Sequence, residues 1–359
     1  MPGLVTSTPV ASPLVTSTPW PQAPVVVGPT TKSATRPTNI LPAYLRDDAS
    51  KTVREDFNAS KHLNFQHPKN IVKMKDIGLE GQGISPNAVS DPFPLFTQEA
   101  VEQIRAEVFS DEVLEECQFA SAFCRNMIRG MGPARAPFTY TAWNSPELVE
   151  AVSKVAGVDL VPSIDYEIAN INISVKSDSE VIKESEPLMD DTLLSDDLPA
   201  FAWHYDSFPF VCVVMLSDCR DMVGGETALR TPNGEVKKVR GPAMGTAVVM
   251  QGRYIEHQAL KALGGKERIS MVTCFRPRSP FVPDETVLTG VRGISHNSEL
   301  YSQYTEYRLE ILEERLRAKM REEKRRQVAK KEFETQAMRG WLVEQKGFLE
   351  AMLYELTDE

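Results

Sequence analysis

The chain of 359 residues is 42% hydrophobic and 25% charged, ordinary globular usage that excludes a fibrous or mainly disordered protein. Its net charge is −10, which argues against nucleic acid as a partner, because phosphate binding needs clustered Lys and Arg. No apolar run approaches the roughly 18 residues of a membrane span, and no basic segment leads into an apolar stretch at the N-terminus, so a cytoplasmic protein without membrane contact is expected.

Residues 1–40 are rich in Pro, Thr, Ser and Val, and LVTSTP occurs twice, at 4–9 and 14–19. With no apolar period of 2 or 3.6, this stretch reads as a disordered tail. Residues 41–160 read as a helical supporting region. TQEAVEQIRAEVFSDEVLEECQFASAFCRNMI and SPELVEAVSKVAGV have helical apolar spacing, and Thr97 and Ser145 stand where N-caps belong. GLEGQGISPNAVSDPFPLF is full of Gly and Pro and reads as a long loop. His62 and His67 fall in helix and loop and read as surface residues.

Residues 161–283 change character. IDYEIANINISV, PFVCVVMLSD, ETALRTP, EVKKVRG, GTAVVMQG and RISMVTCFRP are strand-like runs separated by Gly, Pro, Asp and Asn. Such spacing suggests an antiparallel sandwich or barrel. An acidic insertion at 176–199 interrupts it, open to reading as a lid or as a solvated loop. Residues 284–359 return to helix, with Leu309, Leu312, Leu316 and Met320 at helical spacing and Glu313–Arg317 and Glu322–Arg326 as expected i,i+4 pairs. Trp341 to Leu356 is apolar enough to pack on the body or against a second copy, so a homodimer through the C-terminal helices is one expectation. The fold class is α+β. The five cysteines (Cys117, Cys124, Cys212, Cys219, Cys274) are odd in number and mostly within apolar runs, which fits reduced thiols better than a disulfide framework.

The histidines carry the functional signal. In WHYDSFPF, His204 and Asp206 are two apart, so on a strand they share a face. His257 follows in QGRYIEHQAL, just after the strand-like GTAVVMQG. Two His and one carboxylate form the facial triad of non-haem Fe(II) sites, which leaves coordination positions open. The His-x-Asp spacing alone is equally that of a structural His beside an Asp. What shifts the balance is the order of the motifs around it: GGET at 224–227, GPAMGTAVVMQG, His257, and Arg268 in ERISMVTCF.

That ordered set, HYD…GGET…GTAVVMQG…H…RIS, resembles the core of the Fe(II)/2-oxoglutarate-dependent dioxygenases, most closely the fungal oxygenases of specialised metabolism, over about residues 160–280. The resemblance implies a double-stranded β-helix (jelly-roll) core with N-terminal supporting helices and C-terminal helices. It implies His204, Asp206 and His257 as catalytic metal ligands, Arg268 and Ser270 as the anchor of 2-oxoglutarate, and Asn172 as a further co-substrate contact. The cofactors would be Fe(II), 2-oxoglutarate and O2. The chemistry of Arg268 agrees with that role, because a buried carboxylate needs a cation that stays protonated and offers a bidentate fork. Arg276 and Arg278 are alternatives at the strand's end. The implied reaction is oxidation of a C–H bond in a small organic molecule (hydroxylation, desaturation or cyclisation) with release of succinate and CO2. GGET also resembles the prolyl hydroxylases, which keeps a protein or peptide substrate open, and a non-catalytic interaction module and a cupin-like metalloenzyme that does not use 2-oxoglutarate are the remaining alternatives.

Overall fold

The structure, a computed structural model, describes residues 23–28, 41–121, 124–175, 203–219, 222–239, 243–260, 262–263 and 265–358. The LVTSTP repeats and the acidic insertion at 176–199 lie outside the described residues. Contacts divide the chain into a unit spanning Ala23–Ile311 and a second that takes in Leu312 onward.

The first unit begins with helices α1 (Ala43–Lys51) and α2 (Ala59–His62) and strands β1 (Ile71–Lys73), β2 (Asn87–Ser90) and β3 (Phe93–Pro94). Helices α3 (Gln98–Val108) and α4 (Asp111–Glu116), strands β4 (Gln118–Phe119) and β5 (Met127–Ile128), and helices α5 (Gly132–Arg135), α6 (Pro137–Asn144) and α7 (Pro146–Ala156) follow. Thr97 and Ser145 cap α3 and α7 as their sequence positions require, their hydroxyls accepting the Ala100 and Leu148 N–H groups. Pro146 at the first turn of α7 and Gly157 just past its end, at φ 73°, complete an unambiguous helix.

The remaining strands are β6 (Leu160–Pro162), β7 (Asn170–Val175), β8 (Phe210–Met215), β9 (Val223–Gly224), β10 (Thr227–Arg230), β11 (Val236–Val239), β12 (Thr246–Met250), β13 (Glu256–Ala259), β14 (Ala262–Leu263) and β15 (Glu267–Pro277). Among the described residues, ten strands form one antiparallel sheet whose centre runs β12-β8-β15-β7. A smaller sheet runs β11-β10-β13.

The large sheet has two unlike faces. Ile171 and Ile173 of β7, Phe210, Cys212 and Val214 of β8, Ala247 and Val249 of β12, and Ile269, Met271 and Phe275 of β15 belong to one core with helix residues such as Ile104, Trp143 and Val152. Side chains alternate along a strand, so the intervening residues point to the other face. There β7 and β15 present Asn170, Asn172, Arg268, Ser270 and Cys274, while β8 and β12 present Val211, Val213, Met215 and Val248. The helices back the sheet, and the mixed polar and apolar face is left for the site.

Three sequence expectations change here. Residues 41–160 hold five short strands as well as helices, and β2 and β3 lie within the stretch expected to be loop. Both pair with β12, more than 150 positions away, so no local pattern could reveal them. His62 is fully buried rather than at the surface. Its Nδ1 accepts the Asn58 N–H at 2.9 Å and its ring meets Phe138 edge-on. Within the stretch expected as a tail, residues 23–28 are held: the Ala23 N–H donates to Glu285 Oε1 at 3.3 Å, and Val26 is buried.

After the 3-10 turn at Arg292–Ile294, helix α8 (Asn297–Val328) starts in the first unit. Its part from Leu312 and helix α9 (Thr335–Glu355) make up the described second unit. No helix among the described residues is long and apolar enough to cross a membrane.

Candidate metal centre

His204 and His257 are a hydrogen-bonded cross-strand pair. The His204 N–H donates to the His257 carbonyl at 3.0 Å, and the His257 N–H returns the bond at 2.9 Å. Directly opposed residues carry their side chains on one face, and the two rings lie 4.3 Å apart between centroids. Two residues on, the Asp206 N–H donates to the Gly252 carbonyl at 3.0 Å, so Asp206 shares the face of His204. Its Oδ1 lies 3.6 Å from His204 Nε2 and 3.5 Å from His257 Nε2. One ligand atom from each of the three residues falls within 4.8 Å of the others.

The turn between β12 and β13 makes this fit. A Cβ on Gly252 would stand 1.8 Å from Asp206 Oδ2, so any other residue would displace the carboxylate. Gln251 fastens the same turn to the preceding loop. Its Oε1 accepts the Ile84 N–H at 2.6 Å, and its Nε2 donates to the Asn87 carbonyl at 2.9 Å. His257 Nδ1 lies 2.9 Å from the Ile255 carbonyl. A carbonyl only accepts, so Nδ1 carries the proton and Nε2 presents its lone pair to the centre. Behind the site, the Arg230 guanidinium covers the Trp203 ring at 4.0 Å and pairs with Glu256 at 2.9 Å, clamping the neighbours of both histidines.

The electrostatics suit a cation. Burial raises the Asp206 carboxyl, but with the rings protonated the charge and N–H donation of His257 and His204 outweigh it and hold the group well below the usual carboxylate range, and a bound cation would take the place of those protons. Asp206 Oδ1 faces both imidazole Nε2 atoms, while Oδ2 packs against Gly252. Two imidazole nitrogens and one carboxylate oxygen fit Fe(II) with three positions left open.

Beside it lies a second polar cluster on the inner face. Ser270 stands opposite Asn172, and Arg268 opposite Ser174. Arg268, Ser270 and Asn172 make no side-chain hydrogen bond or ion pair among the described residues. Burial pulls the Arg268 guanidinium below its ordinary value. The alternatives are engaged elsewhere. Arg276 donates to the Ser163 carbonyl at 3.2 Å and stacks on Tyr307, and Arg278 reaches the Leu160 carbonyl at 3.5 Å. Asn170, companion of Asn172, donates to Glu167 at 2.7 Å, and Glu167 also pairs with Arg129. The Cys274 thiol is pushed up by burial and by the Glu167 and Asp206 carboxylates.

Sequence reasoning singled out the three convergent side chains and missed what positions them. Arg230 carries no motif, and the Gln251–Gly252 pair that closes GTAVVMQG was the available signal for the turn.

No known protein family and no curated protein matches the chain. Solved structures do resemble it. A 2OG-Fe(II) oxygenase family oxidoreductase from Burkholderia pseudomallei is 14% identical, covering 45% of this chain and 70% of that one at a TM-score of 0.30. A prolyl-4-hydroxylase from Pseudomonas putida is 14% identical over 65% of this chain and 99% of its own, at 0.31. The non-haem alpha-ketoglutarate-dependent epimerase SnoN of nogalamycin biosynthesis is 14% identical over 67% and 85%, at 0.35. Scores this low leave the chemistry to be argued from the site's own atoms.

Proposed function

We propose that this chain is a non-haem Fe(II)/2-oxoglutarate-dependent oxygenase acting on a small organic molecule. The observation that carries the reading is the convergence of one ligand atom each from His204, Asp206 and His257 within 4.8 Å. Strand order supports the jelly-roll expectation: β7-β15-β8-β12 in one sheet, and the His204 segment with β13-β10-β11 in the other.

His204, Asp206 and His257 would hold the iron. Bound there, Fe(II) would couple O2 reduction and oxidative decarboxylation of 2-oxoglutarate, to succinate and CO2, with oxidation of a substrate C–H bond. The chain's own residues do the rest. Asp206 supplies the negative charge that two neutral imidazoles lack, and the Ile255 carbonyl fixes the His257 tautomer. Arg268 forks the distal carboxylate of 2-oxoglutarate, with Ser270 and Asn172 as hydrogen-bond partners, so the co-substrate arrives in one orientation. Val211, Val213, Met215 and Val248 line the rest of that face without polar groups, which keeps water away from the reacting centre.

The test is Fe(II) binding and succinate release from 2-oxoglutarate by the wild-type chain and His204→Ala. The wild type binds iron and releases succinate, and the variant does neither while its circular dichroism is unchanged. Equal turnover by both would dismiss the site.

A further inference from the structure

Residues 23–28 read APVVVG, and their burial alternates: Val25 is 84% exposed, Val26 7% and Val27 73%. The middle valine alone faces the protein, as in a chain docked along one side. It docks on the loop after β15. The Ala23 N–H donates to Glu285 Oε1 at 3.3 Å. A Cβ on Gly28 would stand 2.4 Å from the Thr289 carbonyl oxygen, and one on Gly290 would stand 3.2 Å from Val26 Cγ1 and 2.5 Å from Ser207 Oγ. Only glycine lets the segment, the loop and Ser207 approach this closely. The loop has anchors of its own. The Asp284 carbonyl accepts from Arg308 of α8 at 2.9 Å, and Asp284 Oδ1 accepts the Thr286 hydroxyl at 2.6 Å.

Loop and segment both end on the candidate metal centre. Asp206 is bonded to Gly252 through its backbone N–H, and the residues that follow these two, Ser207 and Arg253, make the contacts. The Ser207 carbonyl accepts the Val287 N–H at 2.9 Å. Arg253 is 4% exposed. Its Nε donates to the Glu285 carbonyl at 2.8 Å and its Nη1 to the Pro24 carbonyl, so one guanidinium fork joins the turn, the loop and the segment. We infer that residues 23–28 belong to the frame of the metal centre and that Arg253 is a positioning residue for Asp206, an inference that rests on reading His204, Asp206 and His257 as metal ligands. The route is short. Arg253 sets where Gly252 stands, and a Cβ on Gly252 would already lie 1.8 Å from Asp206 Oδ2, so a shift of the turn shifts the carboxylate. Gln251 fixes the turn from one side and Arg253 from the other.

Anaerobic titration of the full chain with Co(II), whose visible absorbance reports ligand geometry as well as affinity, tests this. The wild type binds. Arg253→Ala should bind about 10- to 100-fold more weakly, the usual cost of disturbing a group behind a ligand, with an altered spectrum at saturation. Arg253→Lys, which keeps the charge and loses the fork, should fall between. Val26→Asp loosens the segment without altering the turn and should weaken binding in the same direction, with Val26→Ala a smaller change of the same sign. Because both positions act through one segment, Arg253→Ala/Val26→Asp should cost less than the product of the single effects. Glu107→Gln, a buried change at a carboxylate bonded to Phe138 and Thr139, should leave affinity and spectrum as in the wild type. Wild-type affinity and spectrum in the folded Arg253 and Val26 variants would overturn the inference and leave the metal site standing. Effects that multiply would overturn the segment's part in it, and an equal loss in Glu107→Gln would reduce the effect to stability and overturn it too. No Co(II) binding by the wild type would dismiss the metal site itself.

Discussion

Gly252 is the residue on which the site's geometry turns most sharply. It offers no chemistry, yet a methyl group there would sit 1.8 Å from the Asp206 carboxylate. Gly252→Ala should weaken Fe(II) affinity by about 10- to 100-fold, the usual cost of disturbing a group that orients a ligand, with the fold retained. Anaerobic iron titration reads this, and an unchanged affinity would show that the carboxylate is not placed by the turn. Arg268→Ala should leave iron binding intact and raise the half-saturating 2-oxoglutarate concentration, with Arg268→Lys falling between, because lysine keeps the charge but loses the fork. Identical co-substrate dependence in all three proteins would remove Arg268 from the anchor. The convergent trio was legible in the sequence because strand periodicity and residue chemistry coincide at His204 and Asp206. Gly252 was not, because a glycine that punctuates a turn and one that makes room for a neighbour look alike until the neighbour is known.

Among the elements, α6 shows how caps escape a local reading. Its N-cap position, Ala136, has no side chain to offer. The cap comes from Glu107 on α3, whose carboxylate accepts the Phe138 and Thr139 N–H groups at 2.8 and 2.9 Å and the Thr139 hydroxyl at 2.6 Å. Thr97 and Ser145 were readable as caps because they sit next to the helices they serve; Glu107 lies about thirty residues from its own. Burial raises the Glu107 carboxyl above 4.5, against the pull of those hydrogen bonds. A raised carboxyl favours the folded state most below its unfolded value, and that contribution fades as pH climbs through the folded one. Glu107→Gln leaves a buried N–H without its acceptor and should cost about 1–3 kcal/mol. The deficit should be largest near pH 4.5 and shrink toward neutrality. Urea unfolding at both ends checks it, and a deficit that grew with pH would reverse the assignment. The strands followed the same division. β7, β8, β12 and β15 announced themselves by alternation and β-branched content, whereas β2 and β3, four and two residues long, are defined by their pairing, β2 with β1 and β12 and β3 with β12.

In the first unit, the large sheet has helices on one face and a mixed polar and apolar set of side chains on the other. Helix-facing residues build the core, and the alternating residues between them are free to bind. Arg268, Ser270 and Asn172 stand on that face without a side-chain hydrogen bond or ion pair among the described residues, which is why the proposal gives them to the co-substrate. The most direct measurement is anaerobic addition of Fe(II) and then 2-oxoglutarate to the metal-free chain, followed by visible absorbance. A weak charge-transfer band that needs both additions, disappears in His204→Ala and demands more 2-oxoglutarate in Arg268→Ala is the predicted result. Iron binding with no band at any 2-oxoglutarate concentration would contradict the proposal that this site holds the two together.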